Sequence, residues 1–134
     1  MTPREIVETI HKHEKWVNNR AHGVRAKFQL LDLAGFAFTG CNLRGALFSG
    51  AALNGADFSY ADMFGAIMIS CDLRGASLSG ANLRGAKLSG ANLTRAILRK
   101  TDMREGTMMR SDSSDGLVVV ESRKDVTAET TVTF

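Results

Sequence analysis

Proline occurs once and cysteine twice in 134 residues, and aromatic side chains make up only 7% of the chain. Two cysteines are too few for a disulfide framework. Cys41 and Cys71 read instead as buried free thiols, small apolar residues that behave as alanine would. No apolar run approaches the length of a membrane span. The N-terminal stretch MTPREIVETIHKHEKW lacks the apolar centre of a signal peptide, so an intracellular, cytoplasmic protein is expected. The net charge of +3 falls short of the dense positive field of a dedicated nucleic-acid binder. Disorder of the whole chain is excluded in the other direction, because 44% of the residues are hydrophobic. The length fits one ordinary domain.

What the chain has in abundance is a period of five. From Phe28 to Met108 every fifth residue is Phe, Leu or Met, 17 places out of 17. Two residues before each of these, Ala fills 11 of the 17 places, and two residues after, Gly fills 10. Five matches neither the 3.6-residue period of a helix nor the two-residue period of a straight strand. Recurrent glycine argues further against helix. The physical reading is a short extended piece that turns a corner in every unit. In ANLRG, residues 81–85, alanine and leucine lie two apart and share a face, the polar residues face outward, and glycine allows the corner. One unit cannot bury its apolar pair alone, whereas stacked coils can, and their backbones can bond to each other.

ANLRG at 81–85, ANLTR at 91–95 and ADMFG at 61–65 carry the signature A-[DN]-L-x-x, and on these residues the chain resembles the pentapeptide-repeat family over about two-thirds of its length. The resemblance implies an all-β solenoid: a right-handed quadrilateral β-helix with four units per coil, here about four coils, which an N-terminal α-helix read from this chain's own residues is expected to cap. At ~4.8 Å between stacked strands the rod is roughly 20 Å long. Several members of the family pair end to end, which leaves a homodimer open for this chain. The expected division is a helical cap and linker at 1–25, the repeat stack at 26–110, and a C-terminal loop with a β-prone tail or cap at 111–134.

Twenty residues per coil place side chains in columns. Phenylalanines 28, 38, 48 and 58 give way to leucine and methionine toward the C-terminus of the core ladder. Asp32, Asn42, Asp57, Asp62, Asp72, Asn82, Asn92 and Asp102 precede central residues. They read as side chains bonding nearby backbone rather than as a metal or catalytic ladder. Arg44, Arg84 and Arg104 share one outward column, broken by Phe64, with Arg74 on another. Together these four form a candidate basic strip, and Arg95, Arg99, Lys100 and Arg110 make the C-terminal half basic. Asp62, Asp72 and Asp102 lie two residues from those columns and partly neutralise them, and no aromatic residues interleave to stack bases. The sharper anomaly is apolar side chains at outward positions. Leu47, Phe64, Ile67 and Ile69 form a candidate protein interface, unless the terminal segments cover them.

At the N-terminus, Thr2, Pro3 and Glu5 spell a capped helix start. Ile6, Ile10, His13 and Val17 recur at helical spacing, with Trp16 beside them, predicting an amphipathic helix over residues 3–19. His11 and His13 fall on different sides of such a helix and do not form a metal pair. NNRAHG at 18–23 is the linker, with a turn at Gly23. After Met108 the pattern decays into a loop at 110–116 and two β-prone stretches. These stretches can close the end as a hairpin, add to an edge of a partner chain, or remain an unstructured tail.

No nucleophile–base arrangement, phosphate loop or metal spacing can be placed, so no catalytic residue and no cofactor is expected. The leading expectation is a non-enzymatic scaffold that binds a protein, of unspecified identity, through its outer faces. Two alternatives come from other classes. Some pentapeptide-repeat proteins mimic DNA and bind DNA gyrase, giving quinolone resistance. Those members are long, dimeric and strongly acidic, whereas this chain is short and net positive. The other alternative is a weak nucleic-acid binder acting through the arginine columns. No membrane partner is expected.

Overall fold

A computed structural model describes residues 1–105 and 131–132 of the chain. Its regular elements are few: helix α1, Pro3–Val17, and two short strands, β1, Ala96–Ile97, and β2, Thr131–Val132. Everything between α1 and β1 is made of short extended pieces and corners. Parallel bridges join residues twenty apart throughout, from Lys27↔Leu47 to Asn82↔Asp102. Residues 26–105 therefore run as four stacked coils, each with four sides of five residues. The first side comprises 26–30, 46–50, 66–70 and 86–90; the second, third and fourth come after it in chain order.

The backbone bonding explains why five residues suffice for a side. The Leu33 N–H donates forward to the Ala52 carbonyl of the next coil at 2.8 Å, while the Ala52 N–H donates back to the Leu31 carbonyl at 2.9 Å. At the corner, the Phe36 N–H closes on the Leu33 carbonyl at 3.1 Å. The residue before that closure, Gly35, has φ +71°, the left-handed conformation of the third residue in a type II turn. Glycine is the residue that reaches this region without strain. Where the sequence departs from glycine at the corner, at Leu30, Tyr60, Ser70, Arg95, Lys100 and Glu105, the backbone keeps φ between +56° and +62°. The repeat geometry overrides the local preference of those residues.

The interior is apolar. Every central residue from Phe28 to Met103 is buried. Phe28 stacks on Phe48 with centroids 5.1 Å apart, and Phe38 on Phe58 at 4.8 Å. Rings from the first and third sides meet edge to face across the interior, Phe38 on Phe48 at 5.7 Å. The small position accepts only what fits. Cys71 and Thr101 replace alanine there and each bonds a carbonyl of the coil before, Sγ to Phe48 O at 2.9 Å and Oγ1 to Leu78 O at 2.7 Å. Both cysteines are free, Cys71 buried and Cys41 half-buried. In the first coil, Leu31, Phe36 and Cys41 occupy the small positions and pack only partly buried against the core.

Helix α1 lies against this first coil. Its capping box is formed: the Glu5 N–H donates to Thr2 Oγ1 and the Thr2 N–H to Glu5 Oε1. Ile6, Ile10 and His13 are its buried face. The helix ends two residues before the expected boundary, because Asn18 caps it and Asn19 turns left-handed at φ +55°. Gly23 is needed for a reason other than a turn. A Cβ there would lie 2.4 Å from the Trp16 backbone nitrogen, so the linker passes directly against the helix. His13 ties the two parts together. Its Nδ1 accepts from the Ala26 N–H at 2.9 Å and its Nε2–H donates to the Arg44 carbonyl at 2.9 Å, one bond at the start of the first coil and one near its end.

Strand β2 pairs antiparallel with β1, Val132 opposite Ala96 and Thr131 opposite Ile97. The rest of the C-terminal segment, including Met108, Arg110, the loop expected at 110–116 and the first β-prone stretch, lies outside the described residues.

Candidate protein-binding surface

The stack exposes the four interface candidates unequally. Phe64 and Ile69 are each 38% exposed, while Leu47 and Ile67 are half-buried. Leu47, Ile67 and Ile69 share the first side, where Leu47 and Ile67 sit on adjacent rungs of one column. Phe64 lies around the corner on the fourth side. There it joins a residue from the helix, because Trp16 passes 3.5 Å from where a Cβ on Gly45 would lie. Trp16, Val17, Arg44 and Phe64 line an open cleft of about 420 Å³. The Arg44 guanidinium covers the Phe64 ring at 4.7 Å, and Arg25 covers Trp16 at 5.3 Å.

Trp16 is legible in the sequence as an aromatic residue beside the helical stripe, but its place next to Phe64 depends on how α1 docks. Two further exposed apolar residues occupy corners. Leu30 lies over Gly50 and Tyr60 over Gly80, each within 2.6 Å of where a Cβ on that glycine would stand. Their signal is present in the sequence, as bulky residues at the glycine place of the repeat. A left-handed corner aims its side chain at the corner of the next coil, where glycine leaves room.

The four arginines of the candidate strip are each held by a carboxylate. Arg44 Nε pairs with Asp62 at 3.1 Å across coils, and Arg74 makes two bonds to Asp72, at 2.8 and 2.7 Å. Arg104 does the same with Asp102 at 3.1 and 2.8 Å, and Arg84 grips Glu105 at 3.1 and 2.9 Å. The Arg74 and Arg104 side chains hold the carboxyls of Asp72 and Asp102 below the usual carboxylate range, chiefly by hydrogen bonding. Glu105, which stands outside the periodic Asp/Asn series, completes the neutralisation of the fourth side.

The aspartate and asparagine places serve the backbone. Asp57 Oδ1 accepts from the Ser59 N–H at 2.9 Å and Asn82 Oδ1 from the Arg84 N–H at 3.0 Å, and the same bond recurs at Asp32, Asn42, Asp62, Asp72, Asn92 and Asp102. The fourth-side column alternates Asn42, Asp62, Asn82, Asp102, so no two carboxylates face each other on adjacent rungs. Among the described residues no three His, Cys, Asp or Glu side chains gather in a way that could hold a metal ion. No described helix is long and apolar enough to cross a membrane.

A sequence profile of pentapeptide repeats matches residues 32–68 and 66–104, in eight copies. No curated protein sequence matches the chain. Among solved structures, a pentapeptide-repeat protein of the Arabidopsis thaliana thylakoid lumen aligns at 38% identity and TM-score 0.62, covering 64% of this chain and 59% of its own. The pentapeptide-repeat protein Rfr23 of the cyanobacterium Cyanothece 51142 aligns at 31% identity and TM-score 0.58, covering 64% and 60%. The chain thus spans about three-fifths of the length of both. Their likeness implies a right-handed quadrilateral β-helix for the coil stack. QnrB1, a plasmid-mediated fluoroquinolone resistance protein, aligns at 20% identity with TM-score 0.23, too low to bear on this chain.

Proposed function

The chain belongs to the pentapeptide-repeat family, and we propose that it works as a non-enzymatic protein-binding scaffold. In this reading residues 1–25 cap and close the first coil, and the coils of residues 26–105 form the rod whose outer faces meet the partner. The observation that carries the proposal is large apolar side chains at outward places of a repeat that turns mostly polar residues outward. Phe64 and Ile69 stay exposed, and Trp16 is brought beside Phe64. Aromatic side chains and arginine, here an arginine over each ring of a shallow cleft, are the side chains that most often dominate protein interfaces. A basic strip for nucleic acid gains no support, since each of its four arginines already holds a carboxylate. Binding DNA would require breaking those pairs before any counterion is released.

Partner capture from the source cells with wild type, Phe64→Asp and Ile67→Asp tests the reading. The expected result is a defined set of proteins retained by wild type and lost by at least one variant. Identical sets on all three would overturn the assignment to these faces. Light scattering on the same proteins identifies the partner as a second copy if mass halves in the variants. A supercoiling assay with gyrase and a fluoroquinolone, expected to show no protection, tests the DNA-mimic alternative.

A further inference from the structure

The four sides differ in a way that the repeat does not require. The second side carries Asp32 and Asp72, the third Asp57, and the fourth Asp62, Asp102 and Glu105, but the first side has no carboxylate. Its outward column reads Lys27, Leu47, Ile67, Lys87, joined rung to rung by parallel bridges. Two half-buried apolar side chains therefore lie between two exposed ammonium groups. Ile69 widens the apolar strip, and Leu30, 83% exposed, extends it at the corner over Gly50. On the other sides Arg44, Arg74, Arg84 and Arg104 each meet a carboxylate of the chain itself, whereas Lys27 and Lys87 have none among the described residues.

We propose that the first side docks an acidic–apolar–acidic protein segment, an extended stretch with carboxylates at i and i+4 and an apolar residue at i+2. The proposal rests on the protein-binding reading above and gives the partner its chemistry. Lys27 and Lys87 stand three coil steps apart, roughly 14 Å at ~4.8 Å per step. An extended segment rises ~3.4 Å per residue with alternate side chains on one face, so i and i+4 also span roughly 14 Å. Laid along the column, such a segment puts one carboxylate on each ammonium and its apolar side chain over Leu47 and Ile67. It does not add as a strand, because the backbone of this side is already bonded between coils: Leu47 N to Ala26 O, Ile67 N to Ala46 O, and Met68 N to Lys87 O. Recognition is through side chains alone. The apolar contact supplies most of the affinity, while the two charges fix register and repel a basic segment. An anionic membrane fits less well, since interfacial binding buries protruding apolar side chains, and the two at the centre of the column, Leu47 and Ile67, are half-buried.

The test uses the full chain and a short fluorescent peptide with Glu-Thr-Phe-Thr-Glu at its centre, read by anisotropy. Wild type binds it, and the double variant Lys27→Glu/Lys87→Glu binds at least about tenfold more weakly. A companion peptide with lysines replacing the glutamates shows the opposite preference. Circular dichroism checks that the double variant folds, and both substitutions lie on exposed side chains away from the core. Equal binding of both peptides to wild type, no binding of either, or an affinity indifferent to charge reversal overturns the proposal. Binding to phosphatidylserine vesicles with none to the peptide would also overturn it. The broader reading fails separately: a cellular partner lost on Ile67→Asp but kept by the double variant upholds a protein-binding face and rejects the acidic segment.

Discussion

Acidifying the protein from pH 7.5 to 5.5 will weaken the hold of the first coil on α1, through His13. That ring is fully buried and touches the coil at two points. Since its Nδ1 accepts the Ala26 N–H, the proton must sit on Nε2, where it is donated to the Arg44 carbonyl. A second proton on Nδ1 removes the only acceptor that the buried Ala26 N–H has been given. Leaving such a donor unsatisfied costs about 1–3 kcal/mol. Burial accordingly holds the His13 pKa below its ordinary value near 6.5, assisted by the nearby positive charge of Arg25 and opposed by the bond to Arg44. A lowered folded-state pKa means that the unfolded ring takes up the proton first. The contribution to stability is therefore complete above pH 6.5 and declines as pH falls through it, by at most about 1.4 kcal/mol per pH unit. Trp16 is the chain's one tryptophan and lies 5.3 Å from the His13 ring, so its fluorescence reports helix docking. Urea titrations at pH 7.5, 6.5 and 5.5 should show the Trp16 midpoint falling with pH. In His13→Gln, whose amide can meet both backbone groups without titrating, the midpoint should stay level. The carboxylates with resolved shifts, Glu5, Asp57, Asp72, Asp102 and Glu105, all move downward and titrate below this window. A wild-type midpoint that does not change over this range, or an equal slope in His13→Gln, would refute the reasoning.

Gly75→Ala should cost about 1–2 kcal/mol for the left-handed backbone alone, since nothing lies within 4 Å of the new methyl group. Gly80→Ala should cost about 1 kcal/mol more, because its Cβ would stand 2.6 Å from the Tyr60 ring. Urea denaturation checks both, and Tyr60→Gly should erase the difference. Phe58→Ala should lower stability by about 3–5 kcal/mol, as it removes a ring stacked on Phe38 and edge-on to Phe48; thermal unfolding measures this. Burial pushes the Cys71 thiol up to about 11, so the folded protein should resist iodoacetamide at Cys71 while half-buried Cys41 labels first, as read by mass spectrometry. The same shift predicts stability that is lost as pH rises from about 9 toward 11, where the unfolded thiol ionises before the folded one.

Much of the surface chemistry is readable from the residues alone. The Asx bonds at Asp57 and Asn82 come from short polar side chains one place before the central residue. Arg74 and Arg104 are held by the aspartates two residues away, as their spacing suggests. Arg84 is not readable in this way, because its partner Glu105 is twenty-one residues distant and reaches it only through coil stacking. Leu47 and Ile67 share a column, and Ile69 shares their side, as soon as twenty residues are assigned to a coil. Their relation to Phe64, and Phe64's to Trp16, has no counterpart in the repeat.

The period of five is a local constraint, satisfied by each unit with the same bonds, so the sequence alone determined the coil, its core ladder and its corners. Even the exceptions, Leu30 and Tyr60 at left-handed corners, obey that frame because stacked neighbours leave the backbone no other path. Tertiary structure decided the features that obey no period: where α1 rests, that His13 bridges Ala26 and Arg44, and that Trp16 meets Phe64. Those contacts join segments of different design, and their geometry depends on packing one against the other rather than on any repeat. The absence of carboxylates on the first side belongs to both levels. It is written in the sequence at twenty-residue intervals, but it becomes a surface only once the coils stack.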